Sequence, residues 1–108
     1  MPSTIQRSRN HIQAMRRNRG LLQKQLAAML GHATHRRVSQ YETGSTLPPF
    51  VTAVMLEITL GIRLGELYPD LYRELQALVL RRSRALPFQA RRAIVGRLLN
   101  EDLPHDHP

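Results

Sequence analysis

The chain contains no cysteine and no tryptophan. Without thiols there is no disulfide framework, no thiolate metal site and no cysteine nucleophile. Aromatic residues are sparse: Tyr41, Phe50, Tyr68, Tyr72 and Phe88 make up 5% of the chain. Most sit at core-like spacing, which argues against a stacking platform for RNA or single strands. No apolar run approaches the ~18 residues that a membrane span needs, and the opening MPSTIQRSRN lacks the hydrophobic segment of a secretory signal. No Gly-rich phosphate loop, nucleophile elbow or paired-carboxylate motif appears, so no enzymatic activity and no cofactor are expected. His105, Asp106 and His107 are adjacent in a Pro-flanked terminus. They lack the spacing of a preorganised metal site, and no metal is expected. These absences leave a small, soluble, cytoplasmic protein.

Acidic residues are missing from long stretches. Residues 1–41 hold eight Arg or Lys and no acid, whereas 42–74 hold five acids against two bases. Residues 75–100 carry six Arg and no acid, and 101–108 carry three acids with no Lys or Arg. The net charge of +8 over 108 residues is therefore concentrated in two blocks. A polyanion would be drawn to both through counterion release. Fifteen of the sixteen cations are Arg, which suits phosphate gripping and base recognition.

The apolar pattern is helical throughout, with nothing that alternates like a strand. A first helix is expected from Ile5 to Asn18, capped by Ser3 or Thr4, with Ile12 and Met15 facing the core and Gly20 as the stop. A second, Gln23 to Leu30, buries Leu26, Ala27 and Leu30 and ends at Gly31. A third runs from His35 to Thr43 with Thr34 as N-cap, burying Val38 and Tyr41. After the polar turn Gly44-Ser45-Thr46, Pro48-Pro49 start a fourth helix that reaches Leu60, with Gly61 as its cap. A short fifth covers Leu64 to Tyr68, and Pro69 can open a sixth, Asp70 to Arg84, with Leu71, Leu75 and Leu78 on one face. Pro87 precedes a seventh from Phe88 to Asn100, stacking Ile94 on Leu98 and Val95 on Leu99, and 101–108 read as a frayed tail. The expected fold is all-α.

Residues 20–44, GLLQKQLAAMLGHATHRRVSQYETG, carry the most information. Two short amphipathic helices meet at a Gly-started turn, and the second opens on exposed basic and polar groups. That is the construction of a DNA-reading helix-turn-helix, in which the second helix enters the major groove. Gly20-Leu21, Gln23, Leu26-Ala27, Leu30-Gly31, Val38-Ser39, Tyr41-Glu42 and Gly44 stand in matching order, followed by Pro48, Leu60-Gly61-Ile62 and Leu67. On these residues the chain resembles the phage-repressor and Cro-like (XRE) helix-turn-helix family over roughly residues 8–68.

The resemblance implies a five-helix DNA-binding domain over 1–68, while the residue pattern beyond it reads as a helical extension over 69–100 and a flexible tail over 101–108. It implies base contacts from His35, Arg36 and Gln40. Arg suits the paired acceptors of guanine, and Gln the donor-acceptor pair of adenine. Backbone contacts are implied for Gln23, Thr34, Arg37, Ser39, Thr43, Ser45 and Thr46, which would position the protein without reading sequence. Arg7, Arg9, His11 and Arg19 are secondary phosphate candidates. Arg16 and Glu42 occupy the positions at which family members pair helix 1 with the recognition helix.

Three departures from the family pattern stand out. Leu22 replaces a capping Ser or Thr at the start of helix 2, removing a hydrogen bond worth about 0.5–2 kcal/mol. The stretch from Gly31 to Val38 is one residue longer than usual, around His32-Ala33, so His35 and Arg36 could exchange roles. Glu57 falls where a small apolar residue is usual, and either ion pairing or exposure would accommodate it.

The expected function is sequence-specific double-stranded DNA binding by a homodimeric transcriptional repressor, bacterial and nucleoid-associated when bound. The alternative is an antitoxin that binds DNA and neutralises a toxin through residues 70–108. Non-specific nucleic-acid compaction is a third reading. For helices 6 and 7, both core cover and dimerisation stay open, as does a partner surface built on Arg81, Arg82, Arg84, Arg91 and Arg92.

Overall fold

Asparagine binds nearby backbone amides more readily than it continues a helix, and this decides where the first helix starts. In the computed structural model, which describes residues 9–102 (side chains of 99–102 excepted), Arg9 and Asn10 are non-helical and α1 spans Ile12–Asn18. Asn10 Oδ1 accepts from the Ile12 N–H at 3.0 Å, and its Nδ2 donates to the Tyr41 carbonyl at 2.9 Å. The helix expected from Ile5 therefore begins seven residues later; Ser3, Thr4 and Arg7 lie outside the described residues.

The remaining elements are α2 (Gln23–Met29), α3 (Arg36–Thr43), α4 (Phe50–Leu60), α5 (Leu64–Leu67), α6 (Pro69–Ser83) and α7 (Phe88–Asp102). Among the described residues there is no strand, and the chain is all-α. Gly31 and Gly44 follow α2 and α3 with φ of 76° and 77°, a left-handed conformation that a Cβ would disfavour. Pro69 occupies the first position of α6, where its missing N–H costs no helical bond. At its far end α7 takes in Glu101 and Asp102, which the sequence assigns to the tail; His105, Asp106 and His107 lie outside the described residues.

The chain divides into a unit of residues 1–72 and a unit of residues 73–108. The first has a continuous core. Ile12, Leu26, Val38, Leu56, Leu60 and Leu67 are fully buried, with Ala27, Leu30, Tyr41 and Tyr68 nearly so. Met15, Leu21, Leu47, Ile62, Leu64 and Leu71 pack around them. α3 rests on α1 and α2, while α4 rests on α2 and α5.

Backbone groups at the helix ends find specific partners. The His11 N–H donates to the Leu67 carbonyl at 2.9 Å, tying the start of α1 to the end of α5. Arg19 Nε donates to the Leu60 carbonyl at 2.9 Å, closing the end of α4 against α1. Glu57 is half-buried and has no ion pair among the described residues. Its Oε1 accepts from the Leu64 N–H at 3.0 Å and caps α5, where a negative group also complements the helix dipole. At α2 only half of a capping box forms: Gln25 Oε1 accepts from the Leu22 N–H at 2.8 Å, and the leucine side chain offers no acceptor in return.

The second unit is built differently. Its helical residues, the rest of α6 and all of α7, are joined through a turn in which the Leu86 N–H donates to the Ser83 carbonyl at 3.0 Å. Ser83 is its buried residue among those described. Leu78, Leu80, Ile94, Val95 and Leu98 are half-buried, and Leu75, Val79, Leu86 and Phe88 are exposed.

One polar atom of the first unit's core is unmatched. The Tyr68 hydroxyl is buried without a hydrogen-bond partner among the described residues. Burial, and then the neighbouring Tyr41, push its pKa up to about 12 from 10.0. A raised folded-state value means that stability present below pH 10 is lost as pH climbs towards 12. Tyr68→Phe is expected to raise unfolding stability by about 1 kcal/mol at neutral pH and to flatten this alkaline loss. Urea denaturation of both proteins at neutral and alkaline pH checks both effects.

Candidate nucleic-acid interface

Eight residues are too few for a helix to hold itself in water, so α3 depends on what grips it. Val38 and Tyr41 turn one face into the core. Arg36, Gln40 and Thr43 fall on the opposite face, with Arg37 and Ser39 on its flanks. Arg36, Arg37 and Thr43 are exposed, and Ser39 and Gln40 are half-buried. The outward face of α3 thus carries a forked cation and an amide one turn apart.

The inner grip is polar. Arg16 Nε lies 2.5 Å from Glu42 Oε2, and Arg16 Nη2 lies 3.4 Å from Oε1. The Arg16 and Glu42 side chains are 8% and 3% exposed, so this pair is shielded far more than an ordinary surface ion pair. Arg16 Nη1 also donates to the Leu21 carbonyl at 2.8 Å. Gln23 Nε2 donates to Glu42 Oε1 at 2.9 Å, adding α2 to the cluster. Arginine from α1, glutamine from α2 and glutamate from α3 therefore fix the three helices at one point. The resemblance implies that Gln23 meets a phosphate and also braces a side chain of the recognition helix, and its amide bond to Glu42 is such a brace.

Both ends of α3 are defined by the residues around it. At the start, the Thr34 hydroxyl oxygen accepts from the Arg36 N–H at 3.4 Å. His35 sits just before the helix rather than inside it, exposed, with its carbonyl accepting from the Ser39 N–H at 3.0 Å. Arg36 is the first helical residue, and the turn from Gly31 runs through His35.

At the far end the Gln40 carbonyl collects several donors. Ser45 N–H reaches it at 3.1 Å and Thr46 N–H at 3.4 Å. The Thr43 and Ser45 hydroxyls also donate to it, at 3.1 and 3.2 Å. A hydroxyl has one proton to give. Thr43 and Ser45 must rotate away from this carbonyl before they can donate to a phosphate. The Thr46 side chain is exposed beyond them.

A contact absent from the sequence reading joins the turn to the core. The Tyr41 hydroxyl and His32 Nε2 are 3.2 Å apart, with their rings tilted at 52° and 5.9 Å between centroids. Burial first, and the Arg37 guanidinium second, hold the His32 imidazole below its ordinary pKa. Beside it opens a cavity of about 300 Å³ lined by Gly31, His32, Ala33, Thr34 and Arg37.

Of the secondary cations, Arg9 and His11 are exposed. Arg19 is exposed too, although its Nε is engaged by α4 and its Nη1 donates to Asn18 Oδ1 at 3.0 Å. Asn10 and Glu57, which organise the helix ends, were not among the expected site residues. Asn10 lies one residue ahead of the N-cap His11, where an asparagine side chain readily binds a nearby backbone amide.

A short bracing helix, a turn, and a second helix with a buried inner face and a cationic outer face define a helix-turn-helix DNA-binding domain. The helix-turn-helix family model HTH_3 matches residues 12–67, and the chain belongs to this family of XRE type, with Cro- and C1-like members. Membership carries sequence-specific DNA binding and transcription regulation as its general function. Neither the search of curated proteins nor that of solved structures gave a match. Among the described residues, no helix is long and apolar enough to cross a membrane.

The buried cluster yields a stability prediction. Glu42→Ala leaves Arg16 as an uncompensated, largely buried charge, at an expected cost of about 3–5 kcal/mol. Urea denaturation measures this, and DNA affinity is expected to fall with the folded population. A variant with an unchanged thermal midpoint and lost affinity would instead assign Glu42 to recognition itself.

Proposed function

We propose that the protein is a transcriptional repressor that binds a roughly palindromic operator as a homodimer, cytoplasmic and nucleoid-associated when bound. The observation that carries this reading is the outward face of α3, where Arg36 and Gln40 project opposite Val38 and Tyr41. Arg36 addresses guanine through O6 and N7, and Gln40 addresses adenine or a phosphate. His35, at the helix entrance, reaches an adjacent base edge. Thr34, Arg37, Ser39 and Thr46 contact the backbone, with Thr43 and Ser45 joining after their hydroxyls rotate. Gln23 acts chiefly through its hold on Glu42. Repression follows from occupying the promoter.

Dimerisation through residues 69–100 is supported by the state of the second unit. Two long helical stretches present Leu75, Val79, Leu86 and Phe88 to solvent and leave Leu78, Leu80, Ile94, Val95 and Leu98 half-buried. Such surface is normally covered by another element or a partner, and a two-fold partner also matches paired half-sites. The same exposed residues favour a second reading, in which residues 70–108 of an antitoxin cover a toxin. Co-purification of a distinct protein with the full chain would select that reading, while a homodimer at working concentration favours the repressor.

Selection of bound duplexes from a random pool, at near-physiological salt, tests the DNA reading with Arg36→Ala in parallel. The wild type is expected to return a palindromic consensus, and the variant to lose discrimination at one base pair per half-site, about 1–3 kcal/mol. Affinity without a consensus, falling steeply with salt, would place the protein among non-specific nucleic-acid binders.

A further inference from the structure

The turn between α2 and α3 does more than connect them. From it the His32 side chain reaches back to Tyr41, a residue of the core. Tyr41 occupies His32 Nε2 at 3.2 Å, so Nδ1 is the ring nitrogen that the tyrosine does not use. The His32 N–H donates to the Ala27 carbonyl at 2.9 Å, fixing the backbone of the turn against α2. His32, Thr34 and Arg37 line one cavity of about 300 Å³ with Gly31 and Ala33. That space opens beside the first turn of the recognition helix. It combines a permanent guanidinium, a titratable imidazole and a hydroxyl.

We propose that this cavity seats one backbone phosphate of the bound duplex, with Arg37 and His32 as its cationic walls, so that DNA binding takes up a proton at His32. The inference rests on the DNA-reading function above and adds a residue that the base and backbone contacts do not include. Arg37 supplies charge at every physiological pH. In the free protein the His32 imidazole is held below its ordinary pKa, first by burial and then by Arg37. A phosphodiester placed between them, with one negative charge shared by its two non-bridging oxygens, reverses that balance, because an adjacent anion favours the charged imidazole. The charged and titratable groups beside the ring are Arg37 and Tyr41, both from α3, and Thr34 of the turn lines the same cavity.

The direction follows from linkage. The complex binds more protons than the free protein, so affinity rises as pH falls through the histidine range. A one-unit rise in the His32 pKa on binding corresponds to about a tenfold gain in affinity at the acidic end.

The test uses the full chain and a duplex selected from a random pool, titrated between about pH 5.5 and 8 at fixed ionic strength. His32→Gln retains an amide that can bond Tyr41 but cannot titrate. Wild-type affinity is expected to rise by about five- to tenfold towards the acidic end, and that of His32→Gln by less than twofold. Equal pH slopes in the two proteins overturn the phosphate seat and leave specific DNA reading intact. Absence of duplex binding at every pH overturns the DNA reading and the seat together. Should His32→Gln fail to fold, NMR titration of the wild-type His32 ring decides. An upward pKa shift on adding duplex supports the seat, and an unmoved value overturns it.

Discussion

The contact on which the first unit depends is the buried pairing of Arg16 with Glu42. A charge withdrawn from water is costly unless a partner and further hydrogen bonds replace its hydration, and here each ion has both. Arg16 answers to Glu42 and to the Leu21 carbonyl, and Glu42 answers to Arg16 and to Gln23. Three helices converge because only that convergence satisfies all the groups. An apolar core alone tolerates sliding and repacking; a forked guanidinium facing a carboxylate does not. The orientation of the recognition helix is thus set by directional bonds on its inner face, while its outer face remains available to a ligand.

The same logic recurs at the helix ends. Asn10 turns a helix start into a link with α3, and Arg19 turns a surface cation into a cap for α4. Glu57 turns an apparently misplaced acid into a cap for α5. Each is a polar side chain bonded to a backbone group of another segment, satisfying the orphan donors and acceptors that short helices leave exposed. Five short helices offer many such ends, and their closure accounts for much of the long-range polar bonding in this unit.

These cross-links also explain what could be read from the sequence. The apolar positions of α2 and α3 follow helical spacing, and Leu26, Ala27, Leu30, Val38 and Tyr41 are buried as that spacing implies. Gly31, Gly44 and Gly61 mark three helix ends by a local rule. Arg16 and Glu42 were legible through family resemblance, not through spacing, since residues 26 positions apart carry no local signal. Asn10 with Tyr41, Arg19 with Leu60 and His32 with Tyr41 escaped for the same reason. Each depends on tertiary proximity that periodicity does not encode. Thr43 and Ser45 looked like free donors in sequence, and only the geometry at the Gln40 carbonyl shows where their protons are committed.

The shortness of α3 has a consequence for how the domain opens. An isolated eight-residue helix frays continuously, yet this one is bonded at its first turn, its inner face and its last carbonyls. Partial melting of α3 would break the ion cluster and the Tyr41 contacts together, so local opening gains little over complete unfolding. Its amide hydrogens are therefore expected to exchange with solvent in step with those of α1, as one cooperative block. The segment facing the groove would then belong to the slowest-exchanging part of the molecule, unlike binding loops that gain adaptability from low local stability. Recognition by such a surface selects a duplex that already fits, or deforms the duplex, in preference to reshaping the protein.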